Sequence, residues 1–554
     1  MNKIKPILSS KLFIFSLYFL AGIPLLIIFK HYFYSNDTFQ YLSLARKYAE
    51  GNLSDAINGF IGPLLPWLLI PFIKLNIDPI LSCKIIELII GAFTLYNLHI
   101  LTSKIIKNDI LKIALNIAFV PVILSFSILY VSADLLFLSL FVIYLNLLLN
   151  DFPSGNYSNK TSIRIGIVAG LLYFTKSFGF SLFIVHFFVV YCWKYIKGRK
   201  ADNPISWKPF LKAMFVFFSV CSLWIVPLSI KNHALTITTS GNYLFKALGP
   251  DYFPDDTLLI HHPAHINGLF PPVNSTAVSV WEDPNTIPMK SWSPFSSTNN
   301  FKHYYNVIWR NISSIYYHDF QRQTGVILLI LFLLFTFFVK EPFKKIPSIF
   351  YLFLFTYLLY AGSISLIYFL PRYAWLNTFL LIFMIALLAE AFVTQKIFTH
   401  GVGYIFLGIA LVLLVKRPVK ELFFFEDIEL HTSSVWETVK HPYLSMKNKL
   451  KRFDDYYAVM ETLQQMPEFK GKIASHRNKD FYQYCSLICY YLRLPYYGEL
   501  PDKVIAETGD KQLKQYDIDY YLDEKSSPEN DDLLHDRKPV FTDAETGLRV
   551  YKLK

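Results

Sequence analysis

The strongest limit on how this chain can fold is a series of apolar runs, most of them near bilayer length, separated by segments rich in Lys and Arg. A membrane-crossing helix needs about 20 mostly apolar residues. Runs that meet or approach this length lie at Leu12–Phe29, Pro79–Ile106, Ile113–Ser125, Leu135–Leu149, Ile163–Phe174, Phe180–Tyr195, Leu211–Ile230, Thr324–Val339, Ile349–Leu370, Ala374–Val393 and Gly401–Val415. The pattern predicts a polytopic α-helical membrane protein with about eleven spans. A hydrophobic fraction of 53% against 17% charged residues excludes an ordinary soluble enzyme.

The net charge of +12 would suit a nucleic-acid partner, but the basic residues sit mostly between the apolar runs, where they orient a membrane protein. No nucleic acid is expected. Lys3, Lys5 and Lys11 place the N-terminus in the cytoplasm, and no small-residue cleavage site follows the first run, which therefore reads as a retained anchor. Lys104, Lys107 and Lys112 then mark the same side, as do Lys194, Arg199, Lys200 and Lys208, then Lys340, Lys344 and Lys345, and finally Lys396. This alternation puts the loops at about 30–78 and 231–323, and the C-terminus, outside a multi-pass cell (inner) membrane protein.

The composition changes near Lys416, dividing a membrane domain (1–415) from a soluble extracytoplasmic α/β domain (416–554). Its periods predict strands at Lys472–His476, Tyr496–Gly498 and Ile518–Leu522 and helices at Asp480–Leu492 and Lys503–Tyr516. A hairpin at Val540–Leu553 turns at Glu545-Thr546-Gly547. Cys485 and Cys489 share a helix face as buried thiols. No phosphate-binding glycine fingerprint is present in this domain.

Four charged residues reach the outer surface from separate hairpins: Asp37, Asp134, Lys176 and Arg372. Charges at membrane depth are rare and usually paired or functional. Lys176 and Arg372 suit an anionic phosphate, Arg as a planar fork and Lys as a compact charge. Asp37 suits a base that takes the proton of an attacking hydroxyl. His261, His262 and His265 include an i, i+4 pair, but Pro263 argues against a regular helix there. Loop packing is the stronger reading of these three, and metal binding the weaker.

The spacing Asp37-x3-Tyr41-x3-Ala45-Arg46, followed by Gly62-Pro63-Leu64-Leu65-Pro66-Trp67, resembles the first external loop of GT-C fold glycosyltransferases that use polyprenyl-phosphate sugars. That group includes the protein O-mannosyltransferases and the lipid A aminoarabinose transferase, and is glycosyltransferase family 39-like. Ser132-Ala133-Asp134, Gly170 to Lys176 and Pro371-Arg372-Tyr373 follow in the family's order, so that the likeness covers roughly residues 10–395. It implies a GT-C-like fold, Asp37 as the catalytic carboxylate, and Lys176 and Arg372 as donor-phosphate ligands. Asp134, Tyr41, Arg46 and Pro63 would support them. The aminoarabinose transferase carries a metal-binding Glu two residues before the Pro of this motif; here that position is Ile61 and the adjacent basic position is Gly62, which argues against carrying over a divalent metal.

The resulting expectation is a membrane glycosyltransferase that moves a sugar, with inversion, from a polyprenyl-phosphate donor to a hydroxyl of an envelope lipid, glycan or protein. Its partners would be that donor, membrane lipids and the envelope acceptor. A transporter or flippase of lipid-linked saccharides is the alternative, and would require broken helices and internal symmetry. A membrane-anchored scaffold is a third.

Overall fold

The computed structural model describes residues 10–35, 37–150, 157–198, 206–254, 260–321, 324–394, 401–423, 446–478, 481–524, 533–534 and 537–554. Lys3, Lys5, Arg199, Lys200, Lys396 and Asp480, used above, lie outside them. Helices occupy all eleven expected places. Among the described residues, eight are long and apolar enough to cross a bilayer: Lys11–Ile28, Pro79–Ile105, Asp109–Leu129, Ala133–Asn150, Phe178–Ile196, Lys208–Asn232, Ser348–Ser365 and Pro371–Thr394. A ninth span is formed if Thr298–Asp319 and Thr324–Phe338, a bent pair, count as one. The expected class holds: a polytopic helical protein with a small C-terminal α/β domain.

Asn159–Thr175 has 17 residues, running from its Ser158 cap to Lys176. At 1.5 Å per residue it is about 25 Å long, somewhat short of the hydrocarbon thickness. It is held by its neighbour instead: Gly166 and Gly170 lie against Ala213, Val216 and Val220 of Lys208–Asn232, too close for any Cβ. Small residues on one helix face permit such approach where no hydrophobic effect drives association.

The long loop at 231–323 contains more than connecting chain. Thr298–Gln321, within the segment expected to be loop, is a 24-residue helix. His303, Val307, Asn311 and Ile315 face inward, whereas Phe301, Tyr305, Trp309, Ile312 and Tyr316 form an exposed stripe at helical spacing. Asn311 donates to the carbonyls of Ser365 and Ile367, fastening this helix to the end of Ser348–Ser365.

At the C-terminus, helix Met446–Gln464 precedes a five-stranded sheet of order β2-β1-β3-β5-β4, with β1 Ile473–His476, β2 Tyr496–Leu500, β3 Tyr520–Asp523, β4 Phe541–Thr542 and β5 Arg549–Lys552. Strands β1, β2 and β3 are parallel, with helices Phe481–Leu492 and Asp502–Gln515 as crossovers, and β5 closes against β3 antiparallel. Gly547, at φ +75°, supplies the left-handed residue of the β4–β5 turn. Cys485 and Cys489 are buried on Phe481–Leu492, as expected. The C-terminal part packs on the membrane part through its helices: Phe453 and Tyr456 of Met446–Gln464, and Phe481 and Tyr490 of Phe481–Leu492, belong to the same buried cluster as the bundle interior.

Between these layers lies helix Asp37–Glu50, polar in sequence yet buried along most of its length. Its Lys47 is 2% exposed and pairs with Glu282, which is 1% exposed. Ser43 donates to the other Glu282 oxygen at 2.6 Å, Asn58 to the Glu282 carbonyl at 2.7 Å, and Lys47 also to Asn274. Burial pushes the Glu282 carboxyl up, and the Lys47 ammonium opposes that. This web fixes the loop at 277–283 on the helix that carries Asp37. The loop also reaches the sheet, where Tyr496 N–H donates to the Val278 carbonyl at 2.8 Å.

Because breaking a buried pair strands a charge, Lys47→Met should destabilise the protein by about 3–5 kcal/mol. Lys47→Met combined with Glu282→Leu should recover most of that loss, measured as melting temperature in detergent or nanodiscs.

Candidate functional site

The four charged residues singled out from the sequence meet in one web. Arg372 Nη2 lies 2.6 Å from Asp37 Oδ2 and Arg372 Nε 3.3 Å from Asp134 Oδ2, the latter an ion pair without hydrogen-bond alignment. Lys176 Nζ donates to Asp134 Oδ1 at 2.5 Å. Lys176 also sits 4.4 Å from the centre of the Tyr373 ring. Asp134 is buried at 8% exposure and bridges both cations, whereas Asp37 is 44% exposed. Two cations and two carboxylates leave the web neutral, which is what lets it sit beside the bundle.

Each member stands at a helix end, where the chain turns. Asp37 opens Asp37–Glu50, its N–H donating to Ser35 Oγ at 3.2 Å; Asp134 lies in the first turn of Ala133–Asn150. Carboxylates are favoured there by the helix dipole. Lys176 is the C-cap of Asn159–Thr175, and Arg372 lies in the 3-10 turn Pro371–Ala374.

Two buried ionisable side chains that the sequence does not single out hold the turn leading to Asp134. Lys84 donates to the Ile128 carbonyl, and Glu87 Oε1 accepts from Ser132 N–H at 2.9 Å. Both belong to Pro79–Ile105 and are fully buried. Within an otherwise apolar run, their i, i+3 spacing was the available signal.

Of the supporting positions, Tyr41 belongs to the site: its hydroxyl accepts from Ala133 N–H at 3.4 Å. Burial, and then the Asp37 and Asp134 carboxylates, push its phenol well above the usual range, so it stays a neutral hydroxyl. Pro63 caps helix Leu64–Lys74. Arg46 does not join the site. It turns toward the C-terminal domain, donating to the Tyr490 carbonyl at 2.9 Å and lying 3.7 Å from that ring's centre.

The web forms one wall of a cavity of about 230 Å³. Asp37, Tyr41, Lys176 and Arg372 supply its polar side; Phe60, Phe137, Leu244, Tyr360 and Ile367 are among its mainly apolar remainder. Trp281 projects into it from the loop held by Glu282, a residue that nothing periodic in the sequence marked. Ile61 and Gly62, the two positions at which the motif departs from the pattern it resembles, also line it. Gly62 has a steric reason: a Cβ there would lie 2.4 Å from the Thr175 carbonyl oxygen.

The histidines do not assemble a metal centre. His262 is buried with its Nδ1 accepting from Ala264 N–H, and burial pushes it down to about 3. It packs against Trp281 at 4.5 Å between ring centres, whereas His265 lies 3.7 Å from Glu499 and His261 is exposed. Among the described residues, no group of three or more His, Cys, Asp or Glu side chains is arranged to hold a metal ion. Ile61 adds no side-chain ligand to them.

No protein-family model matches the chain, and no curated protein matches it. Among solved structures, it is similar to ArnT from Cupriavidus metallidurans bound to undecaprenyl phosphate, with 11% identity over 97% of each chain and a TM-score of 0.44. The apo state of the same protein gives 10% identity, the same coverage and the same TM-score.

Gly62→Ala should push the loop before Leu64–Lys74 away from Thr175 and Lys176. The expected outcome is a protein that inserts normally but is about 1–3 kcal/mol less stable, the usual cost of overpacking. Thermal unfolding in nanodiscs checks this.

Proposed function

We propose that the chain is an integral-membrane glycosyltransferase of GT-C type, transferring a sugar from a polyprenyl-phosphate donor to a hydroxyl of an envelope lipid, glycan or protein. Its membrane domain comprises residues 1–415 and its soluble domain residues 416–554. The site lies on the extracytoplasmic face of the cell membrane, and the N-terminus is cytoplasmic.

One observation carries the reading: a half-exposed carboxylate and two cations share the polar wall of a cavity whose remaining lining is largely apolar. An isoprenoid chain suits the apolar lining, and its phosphate suits Lys176 and Arg372. The acceptor oxygen attacks the anomeric carbon from the side opposite the phosphate, and the bond from that carbon to the phosphate oxygen breaks. Its electron pair leaves on the phosphate, whose growing charge the two cations stabilise. The acceptor proton passes to Asp37. A single displacement of this kind inverts the anomeric centre.

Arg372 has two tasks in this account. Without donor it holds Asp37; when the phosphate arrives, it competes for the same guanidinium and leaves Asp37 Oδ2 to the acceptor hydroxyl. Asp134 keeps both cations in place throughout.

The test uses purified protein in nanodiscs, radiolabelled polyprenyl-phosphate sugars and envelope extracts as acceptors; undecaprenyl phosphate is the first carrier to try. Asp37→Asn should lower transfer by about 100-fold or more while inserting and melting like the wild type. An Asp37→Asn protein of normal activity sinks the mechanism. Movement of intact donor across vesicles without sugar transfer would favour the transporter.

A further inference from the structure

Arg372 also forms part of the wall of a second cavity, of about 320 Å³, bounded by both parts of the molecule. From the membrane part come Tyr32, Tyr34, Ser35 and Tyr130. From the C-terminal part come Lys449, Arg452, Tyr482 and Tyr484. Among the described residues that line it, each charged side chain is a cation and none is a carboxylate.

The cations are held rather than loose. Arg452 pairs with Glu524, which stands behind the wall and also accepts from Tyr456 and Asn478. Its guanidinium lies 5.3 Å from the Tyr484 ring centre. Tyr34 and Tyr130 lie with ring centres 4.6 Å apart. Aromatic faces beside fixed cations are poor company for an acyl chain. They suit a ring with apolar C–H faces and a negative substituent. The cavity also touches the start of the helix carrying Asp37, through Ser35, whose Oγ accepts from Asp37 N–H.

We propose that this second cavity binds an anionic carbohydrate, a sugar bearing a carboxylate or a phosphate, and that this sugar is the acceptor. Its role as acceptor rests on the transferase reading; the binding itself does not. Arg372 then stands between donor phosphate on one side and acceptor charge on the other, and Asp37 lies where the acceptor hydroxyl must pass.

The experiment measures binding to the full-length protein in nanodiscs by saturation-transfer NMR and titration, using three probes: tri-galacturonate, its full methyl ester and glucose 6-phosphate. The acid should bind about tenfold more tightly than its neutral ester. Glucose 6-phosphate separates a phosphate preference from a carboxylate preference, and binding by either acid supports the proposal. Lys449→Glu should weaken the preferred acid by about tenfold, and Tyr34→Ala should weaken acid and ester alike. Lys176→Ala, in the other cavity, should leave all three unchanged. Lys449→Ala replaces Lys449→Glu if the latter melts early.

Equal affinity for acid and ester, or wild-type binding by a stable Lys449 variant, overturns the proposal, as does loss of probe binding in Lys176→Ala alone. Should Asp37→Asn retain transfer while the probes bind as expected, the transferase mechanism falls and the binding site stands.

Discussion

The structure depends on a neutral web of four charges held where the bundle meets the loops that join its helices. Any one of Asp37, Asp134, Lys176 or Arg372 alone would be expensive at that depth. Paired, with Asp134 buried between the two cations, they hold together four hairpins that share no sequence neighbourhood. A protein that only needed stability would do as well with apolar side chains there. The arrangement gains sense from what it leaves open: Asp37 is half exposed to a cavity, and Arg372 stands in the walls of two.

Around this web the fold works mainly as a positioning device. The Lys47–Glu282 pair pins the loop at 277–283 and brings Trp281 into the first cavity. Lys84 and Glu87 hold the turn before Asp134. Gly62 permits backbone contact between the loop before Leu64–Lys74 and the end of the helix that Lys176 caps. Arg46, whose place in the motif suggested a part in the site, instead ties the Asp37 helix to the C-terminal domain through Tyr490. That domain completes the second cavity and is thereby bound to the site as well as to the bundle.

The helical framework and the charged residues of the site were legible in sequence for one reason: a bilayer penalises unsatisfied polarity so heavily that apolar length and charge position become readable. The strands of the C-terminal domain showed through alternation and turn residues, Gly547 among them. What stayed hidden depended on pairs far apart in the chain. Lys47 and Glu282 each look like solvated surface charges until the fold brings them together. Thr298–Gln321 has a helical stripe, Phe301 to Tyr316, but its polar other face made the segment read as loop. The histidines were legible as loop residues, and His262 fills that part by capping a short helix and packing on Trp281.

The central claim is that Lys176 and Arg372 hold the phosphate of a polyprenyl carrier. It is tested most directly by equilibrium binding of radiolabelled undecaprenyl phosphate to the protein in nanodiscs, comparing wild type with Lys176→Ala. Loss of one charge-assisted contact predicts binding weaker by about tenfold or more, measured at a temperature where the variant is folded, because Asp134 then keeps only Arg372 as a cation and melting falls. Equal affinity in the two proteins would contradict the account.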